Sequence, residues 1–318
     1  MSICACPLVS VVIPTLRRSE WAIRAVTSAL GQSYGHLEVI VIIDGPDHGT
    51  FRALEELKDA RMTVLMLDEN VGGAEARNTG VQIARGEWVA FLDDDDFWVP
   101  EKLEKQISLA MMLRAPYPVI SATVLVPGQD VDRTLPRRLF KTGEDVGEYL
   151  FRRHGFAYGD GMLQTSTLLT KRELLLKIPF TAGLKRHQDW DWLLRVTQYP
   201  GVAVAMHPDA LTVMRMEGVG ESLSRSSDWE FSLAWVRQNR HCISRKAYAY
   251  FLTTECLPRA RKSGAGGLVI LRLLWECAWR GQPGVRQIML FLGFWAFSEK
   301  TRKAMRNYVL RTAAEGRG

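Results

Sequence analysis

The first third of the chain alternates short apolar runs, rich in β-branched residues, with segments of helical periodicity. We predict strands over Val9–Ile13, Glu38–Ile43, Met62–Leu67 and Glu87–Leu92, and helices over Ser19–Leu30, Thr50–Lys58 and Ala74–Ala84. This alternation is typical of βαβ units and so of an α/β fold with a largely parallel sheet. Ligands of open α/β sheets gather at the carboxyl ends of the strands, and the pattern therefore also predicts where a site lies.

The remainder of the chain is less regular. Pro100 suits the first turn of a further helix. We predict two more strands, over Val119–Val126 and Thr165–Thr170, and a helix that opens near Gln188. From about Ser226 onward the pattern is helical. The length of 318 residues suits one large α/β domain with an appendage, or two domains.

Four consecutive aspartates, Asp93 to Asp96, directly follow the fourth predicted strand. Side chains alternate along an extended chain, so we expect Asp93 and Asp95 on one side and Asp94 on the other. Carboxylates this close are difficult to keep ionised unless a cation or a donor-rich ligand lies among them. Mg²⁺ binds one or two carboxylates and completes its shell with waters and phosphate oxygens. The position after a strand favours a metal site over a solvated acidic turn.

Three segments that contain these features resemble the family-2 glycosyltransferases with the GT-A fold. Val9–Arg18 (VSVVIPTLRR) is similar to the first strand and nucleotide loop of that family. Val39–Asp47 (VIVIIDGPD) is similar to its second strand, which ends in an aspartate, and Asn70–Asp96 to its most recognisable block. The resemblance extends over roughly residues 9–216.

The resemblance implies a Rossmann-like GT-A sheet, mixed and mostly parallel, flanked by helices and followed by a C-terminal helical region. Residues 1–116 would form the nucleotide-sugar-binding half of the GT-A domain, residues 117–225 the acceptor-binding half, and residues 226–318 a basic amphipathic region. Processive relatives usually carry a QxxRW motif and transmembrane helices. We find neither in the sequence and expect a non-processive enzyme of bacterial type.

The resemblance also implies roles in binding the nucleotide. Asp44 matches the aspartate that hydrogen-bonds the base, and Pro14 and Thr15 match the loop beneath it. Arg17 is also expected to bind the nucleotide sugar. Several relatives have an aromatic residue where this chain has Leu16, which leaves the base open among UDP, GDP and dTDP types. The alternative for Asp44 is a simple turn with the Gly-Pro that follows it.

The diphosphate and its metal are the second set of implied contacts. Arg77 matches a position near the diphosphate; the alternative is a surface ion pair with Glu75 or Asp68. Asp93, Asp94 and Asp95 match the DxD segment, which contacts the ribose and, through Asp93 and Asp95, holds Mg²⁺ or Mn²⁺. The implied donor is a nucleoside-diphosphate sugar.

The segment from His187 to Val196 supplies two aspartates for the base of an inverting transfer, which must take the proton of the acceptor hydroxyl. Residues two apart on a helix face different ways, so Asp189 and Asp191 cannot both point into one pocket. Asp191 has Arg195 four residues on as a helix partner, and we therefore predict Asp189 as the base. The alternative is that Asp189 only stabilises the first helical turn.

The C-terminal region is basic and apolar. From Arg237 onward 16 Lys and Arg residues oppose 4 Asp and Glu, whereas the first 236 residues carry 25 and 31. The apolar helical stretches Leu268–Arg280 and Ile288–Phe297 are too short to span a bilayer. Two interpretations stay open: peripheral contact with an anionic membrane, or docking against the catalytic domain or a second copy.

The function we predict is an inverting, metal-dependent transfer of a sugar from a nucleotide sugar to a hydroxyl of a glycan or lipid-linked acceptor, in cell-surface glycan assembly. We find no signal peptide, and the five cysteines have no regular spacing, so we expect the cytoplasm or the inner face of the membrane. One rival is a sugar-nucleotide nucleotidyltransferase, which should open with a glycine-rich GxGxR loop. The other is a nucleic-acid-binding protein that uses the basic tail. We expect no nucleic-acid partner.

Overall fold

The structure is a computed structural model that describes residues 6–128, 131–153, 160–214 and 228–296. The chain divides into two compact units. The first comprises Met1–Val146 and Gly161–Leu223, and the second comprises Gly147–Asp160 and Ser224–Gly318. All the residues predicted for the site belong to the first unit.

Alternating strands and helices make up the described part of the first unit. The strands are β1 (Val9–Thr15), β2 (Leu37–Ile43), β3 (Met62–Met66), β4 (Trp88–Phe91), β5 (Asp96–Trp98), β6 (Tyr117–Val126), β7 (Arg133–Leu135), β8 (Leu169–Lys171) and β9 (Val202–Met214). The helices are α1 (Ser19–Leu30), α2 (His48–Glu55), α3 (Gly73–Ile83), α4 (Lys102–Leu113), α5 (Val146–Phe151), which continues into the second unit, α6 (Arg172–Lys177) and α7 (Gln188–Val196).

These strands form a nine-stranded mixed sheet within the described residues, in the order β3-β2-β1-β4-β8-β6-β9-β5, with β7 paired to β6. The pairings among β1 to β4 and the pairing of β6 with β9 are parallel. Strands β5, β7 and β8 run antiparallel to their neighbours. The predicted α/β fold with a mixed sheet is confirmed, and the carboxyl ends of β1, β2 and β4 lie at one edge.

The sequence predictions hold best where strands are buried on both faces. Every residue of β2 is buried, and α1 has the predicted bounds. The predicted strand Thr165–Thr170 is wrong in its first half, since Thr165–Thr167 forms a 3₁₀ turn before β8. The long strand β9 was not predicted, because its register shifts near Pro208 and interrupts the alternation that marks a strand.

Helix α3 lies unusually close to β1 because residue 80 is a glycine. A Cβ atom on Gly80 would stand 2.4 Å from Cγ1 of Val12, a fully buried residue with a stiff side chain. The close approach matters for the site, since α3 also carries Arg77.

The substitution Gly80→Ala is therefore expected to destabilise the protein by about 1–3 kcal/mol through overpacking, despite the better helix propensity of alanine. Denaturant unfolding measures the change. The rescue variant Val12→Ala/Gly80→Ala should lose less stability than the sum of its two single variants, because the smaller side chain makes room for the new methyl group. Strict additivity would mean that α3 and β1 do not touch at this point.

The second unit is helical in its described part. Its helices are α8 (Trp229–Gln238), α9 (Arg245–Phe251), α10 (Leu257–Lys262), α11 (Gly267–Arg280) and α12 (Val285–Ala296). The buried carboxylate of Glu276 on α11 accepts hydrogen bonds from Arg237 Nε at 2.8 Å and from the Tyr248 hydroxyl at 2.6 Å, which ties α11 to α8 and α9. None of the helices in the described residues combines the length and the apolar character that crossing a bilayer would require.

Candidate active site

The acidic run after β4 is a turn and not an extended segment. The backbone N–H of Asp96 donates to the carbonyl of Asp93 at 3.1 Å, so the chain reverses within the run. Asp94 and Asp95 both contact Arg18, at 3.1 and 3.4 Å, whereas Asp93 contacts Arg77. The predicted alternation, with Asp93 and Asp95 on one side, is therefore wrong, because a turn does not have the two-residue period of a strand.

Negative charge in this turn is only partly compensated. Burial raises the pKa of Asp94 to about 6, although the Thr15 hydroxyl and Arg18 oppose the rise. Burial, with Asp93 next in effect, raises the pKa of Asp96 to about 8, so that carboxyl keeps its proton at neutral pH. The pKa of Asp95 is also raised by burial and by Asp93. For Asp94 and Asp95, removing charge from water thus costs more than Arg18 returns.

Arg77 connects the acidic turn to α7. Arg77 is 8% exposed, and its guanidinium pairs with Asp93 and donates from Nη1 to Oε1 of Gln188 at 2.8 Å. The absence of a side chain at Gly73 makes room for this pair, because a Cβ there would stand 3.2 Å from Arg77 Nη1. Within the described residues, Arg77 Nε is buried with no hydrogen-bond partner. The alternative of a surface ion pair with Glu75 or Asp68 is wrong.

The loops after β1 and β2 are held by carboxylates. Asp44 accepts from the backbone N–H groups of Val71 and Gly72 at 2.8–3.1 Å, so it orders the loop that leads into α3. Asp47 accepts from the backbone N–H of Arg17 at 2.7 Å. The Thr15 hydroxyl donates to Asp94 at 2.7 Å. Base binding by Asp44, Pro14 and Arg17 stays a prediction.

The two aspartates of α7 have different environments. Asp191 is buried and accepts hydrogen bonds from the Thr181 hydroxyl at 2.6 Å and from Arg195 Nε at 2.9 Å. The predicted pair of Asp191 with Arg195 on the helix is present and helps to hold the packed structure. Asp189 lies in the first turn, partly exposed, and accepts from the backbone N–H of Trp190 at 2.9 Å. Burial raises the pKa of Asp189 to about 6, and nearby Asp93 adds to the rise. A carboxylate of raised pKa suits a general base.

The side chains of the turn fit a divalent cation only in part. Among the described residues, no three His, Cys, Asp or Glu side chains are grouped to hold a metal ion. Asp93 and Asp95 are the more accessible carboxylates of the turn that contact arginines, with side chains 26% and 49% exposed. Two carboxylates suffice for Mg²⁺ when phosphate oxygens and waters complete its shell. Burial and Asp93 raise the pKa of Asp95, and a bound cation would favour the charged form of that carboxyl.

Two residues of the site were not predicted from the sequence. Arg18 contacts the acidic turn, whereas its neighbour Arg17 is exposed, and nothing in the sequence distinguishes them. Ser166 is fully buried; its hydroxyl accepts from the backbone N–H of Asp93 at 3.0 Å and also bonds Asp96. The only sequence signal for Ser166 is a cluster of small hydroxyl residues in Thr165–Thr167.

Comparison with known proteins supports the resemblance. The family model described as Glycosyl transferase family 2 matches residues 10–178, more than half of the chain. The amylovoran biosynthesis glycosyltransferase AmsB of Erwinia amylovora is 28% identical over 250 residues, which cover 76% of this chain and 81% of that protein. The UDP-Glc:alpha-D-GlcNAc-diphosphoundecaprenol beta-1,3-glucosyltransferase WfaP of Escherichia coli is 36% identical over 100 residues, 31% of this chain and 40% of that protein.

A solved structure shares the fold. The crystal structure of S. aureus TarS 1-349 in complex with UDP-GlcNAc superposes with a TM-score of 0.57 at 19% identity, over 84% of this chain and 77% of that chain. At this identity the likeness concerns the arrangement of strands and helices, and it agrees with the mixed sheet described above.

Proposed function

The chain belongs to glycosyl transferase family 2 and has the GT-A fold, and from this premise we propose that it is an inverting enzyme that moves a sugar from a UDP-sugar to a hydroxyl of a lipid-linked glycan. One observation carries the proposal: Arg77 joins the acidic turn at Asp93 to Gln188, the residue before Asp189. One connected group of side chains would thus contact the leaving diphosphate and lie next to the base of such a transfer.

The donor and acceptor are proposed from the relatives. WfaP is named for UDP-glucose and for a diphosphoundecaprenol-linked acceptor, and the TarS structure holds UDP-GlcNAc. AmsB is named for biosynthesis of amylovoran. We infer the same classes of substrate for this chain, in bacterial cell-surface polysaccharide assembly, at the inner face of the membrane where a lipid-linked acceptor would lie.

The proposed chemistry assigns a task to each group. Asp189 takes the proton of the acceptor hydroxyl as that oxygen attacks the anomeric carbon opposite the diphosphate. The guanidinium of Arg77 would supply positive charge beside the diphosphate. Asp93 and Asp95 would hold Mg²⁺ or Mn²⁺, which when bound supplies positive charge for the leaving diphosphate. Asp94 is engaged by Thr15 and Arg18, so we propose that it positions the loop.

Donor and metal binding can be tested by thermal unfolding with a panel of UDP-, GDP- and dTDP-sugars, each with Mn²⁺, Mg²⁺ or EDTA. At a donor concentration about 100 times Kd we expect a UDP-sugar with metal to raise Tm by about 5 °C or more. The variant Asp95→Asn should lose most of the metal-dependent part of this shift. The matched control Asp209→Asn, at another exposed carboxylate, should retain it.

Release of UDP in the presence of a diphosphoundecaprenol-linked acceptor measures the transfer itself. A protein that binds no nucleotide sugar, with or without metal, would refute the proposed function. Donor binding that is equal in EDTA and in Mn²⁺ would refute metal dependence and leave the glycosyl transfer in place.

A further inference from the structure

Helix α11 in the second unit is apolar on two faces. Ile270, Leu273 and Cys277 are buried against the other helices of the unit. Leu268, Leu271, Trp275 and Trp279 form a second stripe, three to four residues apart, and are 84%, 61%, 61% and 70% exposed. A helix that packs on one side only is expected to have a polar outer face, so this stripe requires another explanation.

Helix α12 repeats the pattern. Phe291 is buried, whereas Val285, Ile288, Met289 and Leu292 are all at least 45% exposed. We call the exposed apolar residues of α11 and α12 the apolar face: Leu268, Leu271, Trp275, Trp279, Val285, Ile288, Met289 and Leu292. Single exposed apolar residues are ordinary, but eight on two successive helices are not.

The charges around the apolar face are positive. Arg272 and Arg280 are both exposed on α11, and Arg280 also contacts Glu276 at 3.6 Å. Residues 228–296 contain ten Lys and Arg against four Asp and Glu. Two of those four acids, Glu255 and Glu276, are already paired with arginines. A ligand of the apolar face therefore needs to be apolar and negatively charged at once.

An anionic bilayer surface meets both requirements. Tryptophan favours the boundary between head groups and acyl chains, and the rings of Trp275 and Trp279 stack nearly parallel with centroids 5.9 Å apart, so the two side chains form one apolar cluster. A second copy of the chain would bring like charges together, which opposes association. The 14 residues of α11 span about 21 Å, less than a bilayer core, so the helix would lie in the surface plane.

We propose that the apolar face of α11 and α12 docks in the plane of an anionic lipid bilayer, with Trp275 and Trp279 inserted at the head-group boundary and Arg272 and Arg280 on the lipid phosphates. The docking rests on the membrane location in the proposed function. It does not depend on which donor or acceptor the enzyme uses.

Vesicle flotation of the full chain tests the proposal without any substrate. We expect binding to vesicles of phosphatidylcholine with phosphatidylglycerol, and weaker binding to phosphatidylcholine alone or at high salt. The variant Trp275→Ser/Trp279→Ser should bind on the order of a hundredfold more weakly, because two large apolar side chains leave the interface. The variant Arg272→Gln should weaken only the dependence on anionic lipid.

The matched control is Met112→Ser, at a 70% exposed apolar residue of the first unit, and it should bind as the unchanged protein does. Circular dichroism of the tryptophan variant checks that the second unit is folded. Equal binding of the control and the tryptophan variant, or no binding of the unchanged protein, would overturn the proposal. So would a dimer in sedimentation that the tryptophan variant loses. Donor binding, measured without vesicles, reports separately on the proposed function.

Discussion

The substitution Asp189→Asn is expected to reduce turnover by about 10²–10⁴-fold, the usual contribution of a general base, while donor affinity changes little. The amide has nearly the shape of the carboxyl and still accepts from the backbone N–H of Trp190, so the first turn of α7 should persist. Measurement of kcat for transfer, together with Kd for the UDP-sugar, separates loss of chemistry from loss of binding.

The pH dependence provides an independent check. Burial raises the pKa of Asp189 to about 6, and the reaction requires the ionised carboxylate. The value of kcat/KM should therefore rise about tenfold per pH unit below pH 6 and level off above it. The rise of kcat/KM below pH 6 is the acid limb of the pH profile. In Asp189→Asn the residual activity should no longer show this limb.

Asp191→Asn is the matched control. Asp191 is held by Thr181 and Arg195, so its amide variant should lower Tm while kcat of the folded protein stays within about threefold of the unchanged enzyme. Full turnover in Asp189→Asn, combined with a large kcat loss in Asp191→Asn, would move the base to Asp191.

Local sequence patterns predicted the fold correctly where the residue types alone indicate that a segment is buried. Strands β1 and β2 consist almost wholly of buried apolar residues, so their composition alone distinguishes them from the helices. Strand β5 could not be predicted in this way. It opens at Asp96, a buried carboxyl whose pKa burial raises, so the sequence shows an acidic residue at a position where composition predicts an apolar one.

The site shows the same division between near and distant contacts. The choice of Asp189 over Asp191 rested on a helix pair four residues apart, which can be read along the chain. Arg18 meets Asp94 across 76 residues, and Ser166 meets Asp93 across 73. Contacts at such separations depend on how the strands order themselves in the sheet, which a single sequence does not encode locally.

Removing the charge of Arg77 should have an effect comparable to loss of the base. In Arg77→Met the side chain keeps most of its length but loses every donor, so Asp93 is left unpaired and the diphosphate loses a charged partner. We expect kcat/KM to fall by about 10²–10³-fold, the range measured for loss of one donor to a developing charge. Tm should also fall, because a partly buried carboxylate loses its partner.

The pH profile of this variant distinguishes electrostatic positioning from simple misfolding. Arg77 holds down the pKa of Asp189, while Asp93 raises it. Without the guanidinium one of the groups that lower this pKa is lost, while burial and Asp93 still raise it, so the acid limb of kcat/KM should move above pH 6 in Arg77→Met. The matched variant Arg77→Lys keeps the positive charge but cannot make both contacts, and its acid limb should stay close to that of the unchanged enzyme. An acid limb that stays in place in Arg77→Met would show that Arg77 acts on the donor alone, because a charge coupled to the base cannot be removed without moving the base's titration.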